Sequence, residues 1–332
     1  MKLWRMTRAA ALVAVLLAAS LALGGCAGAT GSKQQALTPT VDVPAVHAAG
    51  VLKVGVDSAH APYAGTSKGK IVGIDVDVAS ALAEQLGLKV EIVDMVGKSP
   101  DDLLADGSVD VVMDVEQSGS NVTQGKTVGP YLLSGPALFA KTRSNEVPEL
   151  DIQTLSGTKI SAQKDSLSAW TVDELIGKGT ASSVATLADA LKAVNDGAST
   201  YAAADAIVGS YLAIEYQDIS CVKILGTPIG VYCAVAADNG TLADALTGAL
   251  RELRDNGELV VIISKWLGPV SAQVVISSQA VVAQNTDANA AAGTGSGAGS
   301  EAGAASAAPA GDPGQIDTGE DLPDPSNAGG TG

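Results

Sequence analysis

Catalysis in a folded chain needs a nucleophile with its base, a paired-carboxylate site or a set of metal ligands. This sequence is poor in all three. It holds two histidines, His47 and His60, and three cysteines, with no metal-ligand spacing among them. What it offers instead is a series of aspartates set beside glycines and small hydroxyl residues. Asp57 follows an alternating stretch at 51–56 and opens a loop that carries His60, Pro62 and Tyr63. Asp114 and Glu116 end a β-branched run, and Thr123 and Lys126 lie in the glycine-containing turn beyond it. Ser166 and Ser168 open a helical stretch, and Asp205 stands between "YAAA" and "AIVGSYLA". A buried carboxylate suits an ammonium group through a short charge-assisted hydrogen bond, and backbone amides at a helix start suit a carboxylate.

These residues fall at the ends of elements with clear periods. Val51–Val56 alternates as a strand, "GIDVDVASALAEQLG" runs from Gly73 into an apolar-periodic helix stopped by Gly87, and "LKVEIVD" gives the next strand. A short helix around 101–105 and the near-continuous "SVDVVMDV" complete strand, helix, strand, helix, strand, the pattern of a parallel sheet wrapped by helices. A second such unit opens at "LSGTKISAQ" and runs through helices near 168–176 and at "TLADALKAVNDG" to "TYAAADAIVGSYLA" and "CVKIL". Two similar α/β units predict two lobes. The stretch "TLADALTGALRELRDNGELVVIISKWLG" reads as a long amphipathic helix, a stop at Gly257 and a last helix with Trp266.

The two ends read differently from the middle. Lys2, Arg5 and Arg8 precede an apolar run to Leu23 that is short for a membrane span, followed by Leu23-Gly24-Gly25-Cys26. Residues 1–25 are read as a lipoprotein signal peptide, with the Cys26 thiol taking a lipid that holds the mature chain on the extracytoplasmic face of a membrane. Residues 26–45 read as a flexible tether, and 271–332 as a disordered acidic tail rich in Ala, Gly, Ser and Pro. The start of that tail, "VVISSQAVVAQ", retains enough apolar character for a strand or an apolar contact. Without the three basic residues of the signal, 17 Lys+Arg stand against 36 Asp+Glu, a net charge of −19, which argues against nucleic acid as a partner. Cys221 and Cys233 then form an even pair around Gly226-Thr227-Pro228, read either as a disulfide between neighbouring strands or as two small buried side chains.

Three stretches, in this order, resemble the family 3 extracellular solute-binding proteins, the polar amino-acid binders of ABC importers, over roughly residues 46–270. They are "LKVGVDSAHAPYAGTSKGKIVGIDVDVASALAEQLGLKVEIV", "DLLADGSVDVVM" and "ELRDNGELVVIISKWLG". The resemblance implies an α/β, two-lobed periplasmic-binding-protein-like (type II) fold with two hinge crossings, expected here near 138–141 and 230–235. Lobe one is then 46–139 plus 232–270, and lobe two 140–231, closing on ligand by contacts to both.

The same resemblance distributes roles. Asp205 matches the carboxylate that meets the substrate ammonium, though it also suits a helix cap. Thr123 and Lys126 match a Thr and an Arg that take the α-carboxylate. Lysine lacks the bidentate fork of arginine, so Lys126 reads equally as a solvated loop residue. Asp114 and Glu116 stand where small hydroxyl residues are usual at the pocket edge, and two acids there favour a cationic ligand unless this glycine- and serine-containing insertion points into solvent. His60 stands at a position where an aromatic ring is frequent, Tyr63 reads as packing or as a stacking platform, and Asp57 as the acid that orients their loop. Ser166 and Ser168 match the lobe-two residues that hold a ligand carboxylate, with Asp165 in place of a glycine.

The sequence therefore leads to the expectation of a binding protein with no enzymatic activity, no cofactor and no metal. The expected ligand is small and polar, an amino acid by the resemblance. The expected partners are an ABC permease with its ATPase and, through Cys26, the cell membrane. A ligand-sensing or adaptor lipoprotein on the same fold and a dehydratase-like enzyme are the alternatives.

Overall fold

The computed structural model describes residues 38–116 and 122–277, so Cys26, the signal stretch and most of the acidic tail lie outside the described residues. The first lobe is built on a five-stranded sheet in the order β4-β1-β5-β12-β6. Its strands are β1 (Val51–Val56), β4 (Lys89–Asp94), β5 (Val111–Glu116), β6 (Gly125–Ser134) and β12 (Ile229–Ala236). β1 pairs in parallel with β4 and β5, as the strand-helix-strand pattern predicts, and β12 runs antiparallel between β5 and β6. A small hairpin, β2 (Gly65–Ser67) with β3 (Lys70–Val72), leads into α1 (Ile74–Gln85). The short α2 (Pro100–Ala105) is capped by Ser99, whose hydroxyl accepts from the Asp102 amide.

The second lobe repeats the plan with the sheet β11-β7-β10-β8-β9. Here β8 (Ile160–Gln163), β9 (Ala181–Val184) and β10 (Tyr201–Asp205) are parallel, and β7 (Pro136–Lys141) and β11 (Ile219–Ile224) are antiparallel to their neighbours. The helices α3 (Leu167–Leu175), α4 (Leu187–Asn195) and α5 (Ala206–Ala213) begin with side-chain caps from Ser166, Thr186 and Asp205. The chain returns through β12 to α6 (Gly240–Asp255) and α7 (Glu258–Leu267) over the first lobe. Trp266 of α7 is fully buried and donates its indole N–H to Asp77 of α1 at 2.7 Å, with Lys265 on the same carboxylate oxygen at 2.9 Å. Two of the three stretches that carry the resemblance therefore meet.

Four boundaries fall elsewhere than the sequence predicts. β6 passes to β7 through Gly135 alone, so 136–139 belong to the second sheet. The return crossing spans 225–228, so 229–231 belong to the first. At the N-terminal side, Val41 and Ala45 are buried and the Thr40 amide donates to Leu86; the tether reading gives way to packed structure from about residue 38. Beyond 270 the chain is not tail but helix α8 (Pro269–Ser277), with Val274 and Val275 buried. This helix packs on β11, β6 and α7, and so touches both sheets. Its Ser271 hydroxyl accepts from the Cys221 amide at 3.0 Å, and Gln273 donates to the Asn145 carbonyl at 2.8 Å.

The disulfide reading is also corrected. Cys221 sits on β11 of the second sheet and Cys233 on β12 of the first, and both are buried free thiols. Burial pushes both thiols up, Cys233 to about 12, so neither offers a thiolate.

Candidate functional site

In open α/β sheets, polar ligands sit at the carboxyl ends of the parallel strands. In the first lobe those ends deliver Asp57 after β1, Asp94 at the end of β4 and Asp114 within β5. In the second they deliver Ser166 after β8 and Asp205 at the end of β10.

The loop after β1 is shaped by its aspartate. Asp57 accepts from the Ala59 amide through its side chain and from the His60 amide through its carbonyl. The loop then folds onto the start of α1, where the Ile74 and Asp75 amides donate to the Pro62 and Tyr63 carbonyls. Gly73 makes this approach feasible: its φ is 149°, and a Cβ there would lie 2.2 Å from the Tyr63 carbonyl oxygen. Tyr63 and Asp75 are thereby fixed side by side.

From Asp75 a series of polar contacts leads towards the second lobe. Asp75 is fully buried and accepts the Tyr131 hydroxyl of β6 at 2.6 Å, while its other oxygen, Oδ2, has no partner among the described residues. The Tyr131 oxygen accepts from the Asp114 amide at 3.1 Å. Asp114 takes φ 57°, a left-handed conformation inside a strand and a cost that local function commonly explains. Its carboxylate is bonded to Nδ1 of His60, whose ring lies against that of Tyr63 with centroids 4.9 Å apart. The Tyr63 hydroxyl lies near the side chain of Ser134, at the end of β6, and near the charge of Asp205. Ser134 in turn donates to Asp205 Oδ2 at 2.6 Å, and Asp205 Oδ1 accepts from the Ile207 and Val208 amides.

The electrostatics follow from this geometry. Burial, then the neighbouring Asp114 charge, push the Asp75 carboxyl well up and favour its neutral form. Burial and the surrounding aspartates do the same to the Tyr63 and Tyr131 hydroxyls, which remain protonated donors. His60 is raised to about 9, chiefly by its hydrogen bond to Asp114 and against the cost of burial.

The sequence-predicted residues thus divide. His60, Tyr63, Asp114 and Asp205 belong to one connected cluster, and Asp57 shapes its loop. Asp205 is both a helix cap and a member of the cluster. Ser166 caps α3 by accepting from the Ala169 amide, and Ser168 is buried in its first turn, at the end of the strand beside that of Asp205. Asp165 there takes φ 59° and lies 4.0 Å from Lys164. Thr123 and Lys126 are not in the cluster. Thr123 is held by Asp101 through its amide and hydroxyl, the latter at 2.6 Å. Lys126 is exposed at the opposite end of β6 from Ser134, with Nζ 3.8 Å from Asp244. A groove of about 780 Å³ near that end, lined by His47, Asp101, Gln124 and Asp238, shares no residue with the cluster. Glu116 ends β5 opposite Val231.

Sequence reasoning missed Asp75, Tyr131 and Ser134. Asp75 carried a signal, an acid between apolar residues on the inward face of a helix's first turn, and Ser134 is a lone hydroxyl closing an apolar strand run. Among the described residues no group of three or more His, Cys, Asp or Glu is placed to hold a metal, and no helix is long and apolar enough to cross a membrane.

Two α/β lobes joined by two crossings, with a polar cluster that spans them, define a two-lobed binding fold of the type II periplasmic kind. Residues 52–269 match the bacterial extracellular solute-binding proteins, family 3, and the chain belongs to that family. L-cystine-binding protein TcyA of Bacillus subtilis (strain 168) is 25% identical over 268 residues, 78% of this chain and 97% of that protein. The L-cystine solute receptor of Neisseria gonorrhoeae, in its unliganded open conformation, superposes with a TM-score of 0.55 at 24% identity, over 66% of this chain and 93% of that one. A polar amino acid ABC uptake transporter substrate binding protein from Streptococcus thermophilus does so with a TM-score of 0.54 at 20% identity, over 66% and 86%. These two structural likenesses establish the fold, and the family is one of binding proteins rather than enzymes.

Proposed function

We propose that this protein captures a small amino acid by closing its two lobes on it and delivers it to an ABC importer from the outer face of a membrane, tethered there by lipid on Cys26. The observation that carries the capture is the 2.6 Å hydrogen bond from Ser134 to Asp205. It joins the last residue of β6, the lobe-one strand that leads into the first crossing, to a lobe-two carboxylate, so a ligand seated on Asp205 engages both lobes and favours the closed arrangement. In this reading the ligand ammonium meets Asp205, and Ser166 with the start of α3 faces the same strand ends. The name of the curated relative puts cystine and related amino acids first among the ligands to try. Lipid anchoring rests on the sequence around Cys26, and the importer role on family membership.

The test is a thermal-shift screen of the purified protein against amino acids including L-cystine, polyamines, small carboxylates and sugars, since a ligand that binds only the folded form raises its melting temperature. A saturable shift with an amino acid is expected. Asp205→Asn keeps a good helix cap but loses the charge, and weakens binding of that amino acid by about 2–5 kcal/mol in titration calorimetry. An Asp205→Asn protein with wild-type affinity overturns the assignment.

A further inference from the structure

An amino acid brings a carboxylate as well as an ammonium, and the cluster around Tyr63 is an unfavourable place to put one. Asp114 and Asp205 place negative charge beside Tyr63, Asp114 does so beside Tyr131 and Asp75, and the cation among these groups is His60. The basic residue expected from the resemblance to take the acid group, Lys126, lies at the opposite end of β6 from Ser134, 3.8 Å from Asp244 at the surface.

We propose that His60, backed by Asp114, is the residue that receives the ligand's carboxylate, in the place the sequence resemblance gives to Lys126. This rests on the amino-acid reading above and deepens it. Three features of the geometry carry it. Nδ1 of His60 is bonded to the Asp114 carboxylate, which fixes that nitrogen as a donor and leaves Nε2 for a ligand. The ring is held against Tyr63, so its orientation is set before ligand arrives. The side chain is 44% exposed although its partner is largely buried, so an anion can reach the ring while the counter-charge stays beneath it. The raised value of about 9 agrees with a ring that carries its charge at neutral pH and donates from both nitrogens. The buried Oδ2 of Asp75, without a partner among the described residues, adds a polar atom to the same cluster. Together with Asp205 this makes a receptor with one anionic and one cationic anchor, one on either side of Tyr63, matched to a zwitterion.

The experiment is titration calorimetry with two probes: the amino acid that gives the largest shift in the screen, and the amine left when its carboxylate is removed, which is cystamine for L-cystine. Wild type is compared with His60→Phe, which keeps a ring against Tyr63 but has no N–H, and with His60→Gln, which keeps a donor without the charge. Equal circular dichroism and cooperative unfolding establish that each variant is folded. Both variants are expected to lose about tenfold or more in affinity for the amino acid, while the amine binds as well as to wild type or better. Equal weakening of both probes, or wild-type affinity for the amino acid in both variants, overturns the role of His60 and leaves the amino-acid reading in place. A wild-type protein that binds no amino acid overturns both.

Discussion

The first lobe uses the same pair of side chains twice, a histidine bonded to an aspartate at each end of β5, and the two uses are unlike. At the start of the strand, His47 Nδ1 lies 2.6 Å from Asp110, and the same carboxylate accepts the backbone amides of His47 and Lys53, each at 2.8 Å. Asp110 is thus buried with both oxygens engaged, and it staples the segment before β1 to β1 itself. Near the other end, Asp114 adopts a strained backbone, its histidine stacks on a tyrosine, and a neighbouring buried acid keeps an oxygen without a partner among the described residues. Buried polar groups in folded proteins are nearly all satisfied, so the satisfied pair reads as structure and the strained one as a site. Residue identity alone does not separate them; the company each aspartate keeps does.

The contrast between the two pairs can be broken from either end. The largest effect is expected at the structural pair. Asp110→Ala leaves the His47 and Lys53 amides without an acceptor and lowers stability by about 2–4 kcal/mol in denaturant unfolding, with ligand affinity within about twofold. A loss of affinity as large as that of Asp205→Asn would erase the distinction. The next effect concerns pH. His60 is raised from 6.5 to about 9, so its pair stabilises the fold fully below about pH 6.5, and that contribution fades as pH rises through about 9. The groups facing the ring are Asp114 on β5, Asp75 on α1 and Asp57 in its own loop. Melting temperature measured from about pH 6 to about pH 10 is expected to fall more steeply for wild type than for His60→Phe, and ligand affinity to fall over the same range. Parallel curves would show that the pair carries no such linkage. The smallest effect is expected at Lys126→Ala, which removes an exposed pair with Asp244 and leaves affinity within about twofold and stability without a resolvable change.

How much of this is legible in the sequence depends on whether the information is local. The strings from Gly73 to Asp77 and from Lys265 to Gly268 carry their own periodicity and turn residues, so the helices and the family resemblance can be read from them directly. Asp205 is legible for a similar reason, since a strand ending in Asp before an apolar helix has a fixed geometry. The crossings fall away from their expected places because "ALFA" and "VYCA" are apolar strand patterns that read alike in either sheet. The switch is made by Gly135 at φ 127° and by the turn at Gly226 at φ 67°, and nothing in the flanking pattern says on which side of them a strand pairs. Asp75 lies inside a motif that does not reveal its role, because that role depends on Tyr131, 56 positions away in sequence. Lys126 is singled out by its distance from Thr123, and only the packing of β6 beside α6 shows that it lies near Asp244 at the end of the strand away from the cluster.

The last helix has a mechanical consequence. α8 begins where the family match ends, at residue 269, and lies against β6 of one sheet and β11 of the other. It is a strut laid across a joint, pinned by Ser271 to Cys221 and by Gln273 to Asn145. An opening of the lobes of the kind proposed would carry this strut along with one side or slide it past the other, which places stiffness in the nine residues that follow Gly268 as well as in the two crossings.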